Sequence, residues 1–160
     1  MGAMKTSDAI RYIIEPGLLH LPWRMDSMPA RAMLIAMALQ ESRFTHRRQI
    51  RGPARGWWQF EQGGGVAGVL RHSATREHAW AALDRLQYPR DSQAVYEAIE
   101  HNDGLATVFA RLLLFTVPHA LPGPGDVDEA WDQYIWAWRP GKPHRHTWDD
   151  FYRQAWEALQ

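Results

Sequence analysis

Glu41 is the residue whose setting first suggests chemistry. It closes the run Ala30-Arg31-Ala32-Met33-Leu34-Ile35-Ala36-Met37-Ala38-Leu39, which is apolar nearly all round. A helix of that composition has no polar face to give to water and belongs in a core. A carboxylate at its end is poorly solvated, which disfavours the charged form, and the negative end of the helix macrodipole pushes the same way. A carboxyl group that keeps its proton near neutral pH can donate it to a leaving oxygen. Glycosidic cleavage needs such a donor, because an alkoxide leaves poorly. Taken alone, a glutamate at a helix end more often pairs with an arginine, here Arg43 or Arg47.

The neighbours of Glu41 change that balance. Ala38-Leu39-Gln40-Glu41-Ser42-Arg43-Phe44 resembles the Glu-Ser motif of the soluble lytic transglycosylases and related lysozymes. Gly52-Pro53-Ala54-Arg55-Gly56-Trp57-Trp58-Gln59-Phe60 is similar to that family's Gly-x-x-Gly-Leu-Met-Gln segment, at the family's spacing. Ala137-Trp138-Arg139-Pro140-Gly141 stands, more distantly, where the family has Ala-Tyr-Asn-x-Gly. The three occur in family order over roughly residues 29 to 142, and the first two together carry the resemblance.

The resemblance implies a lysozyme-like helical domain that cuts the MurNAc-GlcNAc bond of bacterial peptidoglycan without a metal or cofactor. Glu41 would be the acid and then the base. Ser42 would orient the carboxyl or the substrate, and Gln59 would bind a sugar or its N-acetyl group. Gly52 and Gly56 would let the backbone turn beside the substrate. Trp57 and Trp58, in place of Leu-Met, would form an apolar wall with a stacking face. Trp138 and Arg139 replace the motif's Tyr and Asn, so a hydroxyl is missing there. Tyr134, four residues earlier and on the same helical face, could restore it. Ordinary packing is the other reading of Tyr134, Trp136 and Trp138.

After Glu41 protonates the leaving oxygen, the acetamido group can assist at the anomeric carbon. Glu41 then takes the proton of the muramic O6 hydroxyl and an anhydro ring closes. Attack by water would give hydrolysis instead, which usually needs a second carboxylate; Glu61 is the nearest in sequence. Both outcomes stay open, with the transglycosylase first. A non-catalytic phage structural or wall-binding protein is a third reading, encouraged by the altered Trp138-Arg139 motif.

Stepping outward, helical spacing dominates and strand signals are weak, so an all-α fold is expected. Helices are expected over Ser7 to about Ile14, stopped by Pro16-Gly17, and from Pro29 through Glu41. Others are expected from Thr75 to about Leu86, from Ser92 to about His101, over Leu105 to Phe115, and from Asp126 to near Trp138. The last runs to about Leu159 and is capped by Thr147. Gly63-Gly64-Gly65 reads as a flexible turn.

The chain has 160 residues, enough for one domain, and no linker divides it. Residues 1–3 read as a cloning remnant before Met4. Eighteen basic residues balance eighteen acidic ones, which argues against a nucleic-acid partner. The cluster Arg43, His46, Arg47, Arg48, Arg51 and Arg55 is a local exception, suited to peptide carboxylates, to phosphate, or to a solvated loop. Nine tryptophans are too many for packing alone to be assumed; two or three are expected at a site. The absence of cysteine excludes disulfides and thiol catalysis. His144, His146, Asp149 and Asp150 suit the start of a helix better than a metal site. No run is apolar enough to span a membrane, and no secretory signal is evident. A protein cytoplasmic as synthesised, and acting on the wall through a phage holin or as a virion part, is the expected setting.

Overall fold

A computed structural model describes residues 2–160; Met1, part of the supposed remnant, lies outside the described residues. The protein is all-helical, and among the described residues no strand forms, only isolated bridges joining Arg48 to Arg55 and Arg55 to Phe60.

The first helical stretch is longer than expected. It runs as α1 (Thr6–Ala9), a π-turn (Ile10–Ile14) and α2 (Glu15–Leu18). Pro16 does not stop it. The Glu15 N–H reaches back to the Ile10 carbonyl, and this wider turn accommodates a residue that has no N–H to donate. Gly17 lies where a Cβ would come within 2.4 Å of the Thr107 side chain, so its lack of a side chain lets α2 pack closely on a later helix.

α3 (Met28–Ser42) follows a 3₁₀ turn at Trp23–Met25. Its cap is Ser27, whose hydroxyl accepts the Ala30 N–H at 3.2 Å. Ala32 to Ala38 are all fully buried, as the all-round apolar run demands. Arg31 escapes to the edge, where it holds Asp26 through two bonds of 2.8 and 2.9 Å and Glu15 at 2.8 Å. α3 ends as Arg43 adopts a left-handed conformation, φ 53°.

Gly63–Gly65 lies in a kinked turn (Gln62–Val66), where Gly64 leaves helical geometry at φ −98° and ψ −105°; it leads into α4 (Ala67–Arg71), then α5 (Arg76–Leu86) and α6 (Ser92–Ile99). A Cβ on Gly65 would lie 2.6 Å from the Phe60 ring, so close packing requires a glycine there. Thr75 starts α5, but its hydroxyl bonds the Val69 carbonyl at 2.7 Å rather than the helix; Asp91, not Ser92, caps α6. α7 (Asp103–Phe115) is the second core helix, capped by Asn102 and buried from Leu105 to Leu114. α8 (Val127–Trp138) and α9 (Arg145–Ala158) complete the chain.

α3 packs along α9 and also meets α7, while α7 touches α2, α5 and α8. Thr147 is not the cap of α9. Its hydroxyl donates to one of two acceptors at 3.0 Å, Gln40 Oε1 or the His144 carbonyl, and Gln40 Nε2 bonds that carbonyl too. The residue before Glu41 thus ties α3 to the start of α9. Among the described residues no helix is long and apolar enough to cross a membrane.

Candidate active site

Glu41 lies at the last turn of α3, only partly accessible, and none of the arginines near it in sequence is its partner. The Tyr134 hydroxyl instead donates to Glu41 Oε2 at 2.8 Å. Burial pushes the Glu41 carboxyl up to about 7; the Tyr134 hydrogen bond pulls it down, and the charge of Glu61 pushes it up again. Glu41 is therefore close to half-protonated at neutral pH. Burial and the adjacent Glu41 charge raise the Tyr134 phenol far above its ordinary value, so it remains a donor.

Tyr134 is held by an aromatic stack. Its ring lies parallel to Trp148, 5.1 Å between centroids and 10° between planes, and Trp131 abuts it at 5.5 Å. The hydroxyl thus reaches Glu41 from a ring with little freedom to turn. Tyr134 and Trp138 share a face of α8 with rings 6.3 Å apart, as four-residue spacing requires. Trp138 donates its indole N–H to the Trp58 carbonyl at 2.9 Å, fixing α8 to the 56–60 segment.

That segment corrects two expectations. Trp57 and Trp58 offer no stacking face to a ligand: Trp58 is fully buried, donating to the Leu34 carbonyl at 2.9 Å, and Trp57 is 5 % exposed, covered by Phe44 and by Arg47 at 4.5 Å from its ring. They are wall from behind: Trp58 turns toward α3, and Trp57 is packed beneath Phe44 and Arg47. Ser42 is also inward. It donates to the Trp57 carbonyl at 2.7 Å or the Ala38 carbonyl at 3.1 Å, and accepts the Phe44 N–H, with no bond to Glu41. Its place is structural, locking the end of α3 to the segment that carries Gln59.

Gln59 is half-buried with φ 52°, and its amide bonds the Gly56 carbonyl. Gly56 takes φ 76°, where a Cβ would press to 2.8 Å against Ile99, so a glycine is required. Gly52 has no such need; a Cβ there meets only the Gln49 side chain.

Gln59, Phe60 and Glu61, from the segment after Gly56, and Trp136, Trp138 and Arg139, from the end of α8, line an open hollow of about 460 Å³. Gly63–Gly65 and Leu113 line it too. Glu41 is not on this lining; it connects to it through Tyr134 and Trp138. Two of nine tryptophans thus reach the hollow, and Trp136 is about half exposed. Its place at the hollow was ambiguous in sequence; His72 and Thr116, which also line the hollow, were not singled out there, because they come from separate elements and carry no motif.

The basic cluster is largely committed. Arg47 forks onto Asp103, while Arg48 and Arg55 reach Glu100 at 2.6 and 3.2 Å. His101 joins Glu100 at 2.7 Å. Those guanidinium groups hold the 47–55 loop to α6 and α7 and are poorly placed for phosphate. Near α9, Asp149 pairs with Arg145, and among the described residues no three metal-ligating side chains converge.

No protein-family model matches this chain, and no curated protein or solved structure matches it. The reading of function rests on the chain's own residues.

Proposed function

We propose that the protein cleaves glycan strands of bacterial peptidoglycan, with Glu41 as general acid and then base. The observation that carries this is one carboxyl, at the end of a buried helix, poised near pH 7 and held by the Tyr134 hydroxyl. Such a group can give a proton to the glycosidic oxygen and take one back in the next step. Gln59, Trp136 and Trp138 line the hollow that Glu41 reaches through Tyr134, and offer an amide and aromatic faces suited to an N-acetylated sugar. The motifs around Glu41 and Gln59 supply the prior for the wall polymer over other glycans.

Closure by the muramic O6 hydroxyl needs no second carboxylate. Hydrolysis is the alternative, favoured by Glu61, which lies near enough for its charge to raise the Glu41 carboxyl. Mass spectrometry of products from purified sacculi decides. Anhydro-muramic ends made by wild type and absent with Glu41→Gln are expected. Reducing ends would move the assignment to a lysozyme using Glu61. No products on several wall types would sink the enzymatic reading and leave a binding or virion role.

A further inference from the structure

The basic loop at 43–55 is the obvious place to seek an anion site, but Arg47, Arg48 and Arg55 are occupied by Asp103 and Glu100. Arg43, Arg51 and Arg139 form no ion pair among the described residues, and of these three Arg139 alone lines the hollow, beside Trp138. It ends α8 in a left-handed conformation, φ 48°, with its N–H returned to the Ile135 carbonyl. The helix stops there and the side chain leaves it at the rim.

The walls around Arg139 are mixed in a way that suits one kind of guest. Phe60, Leu113, Trp136 and Trp138 supply apolar surface, and Gly63–Gly65 present backbone with no side chains in the way. His72 also faces the hollow, and its Nδ1 accepts the Ala74 N–H at 3.0 Å. A neutral His72 ring therefore carries its proton on Nε2, free to donate. Glu61 is the acid on this lining and repels an anion placed beside it, and Arg139 is the guanidinium on the lining that can pair with a carboxylate. A volume of about 460 Å³ falls within the ordinary range for small-molecule sites, roughly 300–1,000 Å³.

We infer that this hollow binds the peptide substituent of the sugar strand, with Arg139 anchoring a free peptide carboxylate and Trp136 covering its apolar side. The planar fork of arginine matches a carboxylate in two bonds, and Arg139 is exposed to solvent, where such a carboxylate can reach it. The inference rests on the reading of the chain as a peptidoglycan enzyme. It makes Arg139 a specificity residue, which separates peptide-bearing strands from bare glycan.

The test is binding, measured by tryptophan fluorescence on the Glu41→Gln protein so that nothing turns over. The probes are an N-acetylmuramoyl dipeptide with a free terminal carboxylate and the same molecule amidated at that group. The free form is expected to bind about threefold tighter, as for an exposed charge pair. Adding Arg139→Gln should abolish the preference, and Arg139→Lys should restore part of it. Equal binding of the two probes, binding of neither, or a preference that survives Arg139→Gln would overturn the inference. Sacculus digestion with wild type judges the enzymatic reading separately: products without a carboxylate preference would leave that reading standing and remove this one.

Discussion

Replacing Tyr134 by Phe removes one hydroxyl and keeps the ring that stacks on Trp148. The lost bond is the 2.8 Å donation to Glu41 Oε2. A hydrogen bond to a charged acceptor contributes more than one to the neutral acid, by about 1.4 kcal/mol, which is about one pKa unit. The bond now holds the Glu41 carboxyl down against burial and the Glu61 charge. Without it the group moves up, from about 7 to about 8. The protonated fraction at pH 9 then rises from roughly a hundredth to roughly a tenth. The assay is a ¹³C titration of labelled glutamate carboxyls, with the pH dependence of kcat/KM on sacculi alongside it. The basic limb should shift up by about one unit, whatever happens to the plateau through lost positioning. A Glu41 titration that stays in place, or moves down, would refute the account of how Tyr134 tunes it.

Three further outcomes follow from the same geometry. Glu41 has a folded value of about 7 against an ordinary value of 4.5, so its folded form is favoured below the lower value and penalised as pH rises through the upper. Glu41→Gln should therefore raise stability at pH 8 by up to about 3 kcal/mol and change it little near pH 4, read by denaturant unfolding. Glu100, one-tenth exposed and gripped by Arg48, Arg55 and His101, has its carboxyl held low, chiefly by the Arg48 hydrogen bond. Its contribution is present above the ordinary carboxylate range and fades as pH falls through the lowered value. Glu100→Gln should cost about 2 kcal/mol at pH 7 and progressively less in acid, checked by thermal unfolding across pH. Gly56→Ala places a Cβ at positive φ and 2.8 Å from Ile99, so a loss of at least about 2 kcal/mol is expected in denaturant unfolding.

The all-helical class, the burial of α3 and α7, and the position of Glu41 at the end of α3 were legible in sequence, because each follows from local periodicity and composition. The shared face of Tyr134 and Trp138 was legible for the same reason. Tertiary structure decided what these residues meet. Tyr134 and Glu41 are 93 positions apart, and only the packing of α8 and α9 beside α3 joins them. Thr147 looked like a cap, but Gln40, 107 positions away, also takes up its hydroxyl. Trp57 and Trp58 looked like cleft aromatics, because an aromatic pair in a loop reads the same whichever way it turns; the Leu34 carbonyl draws Trp58 inward. Arg47, Arg48 and Arg55 read as part of a basic patch until Glu100 and Asp103, from the α6–α7 junction, pair with them. Local pattern sets which residues are helical and apolar. It does not set the partner of a polar group, because that partner is supplied by segments the chain brings close only on folding.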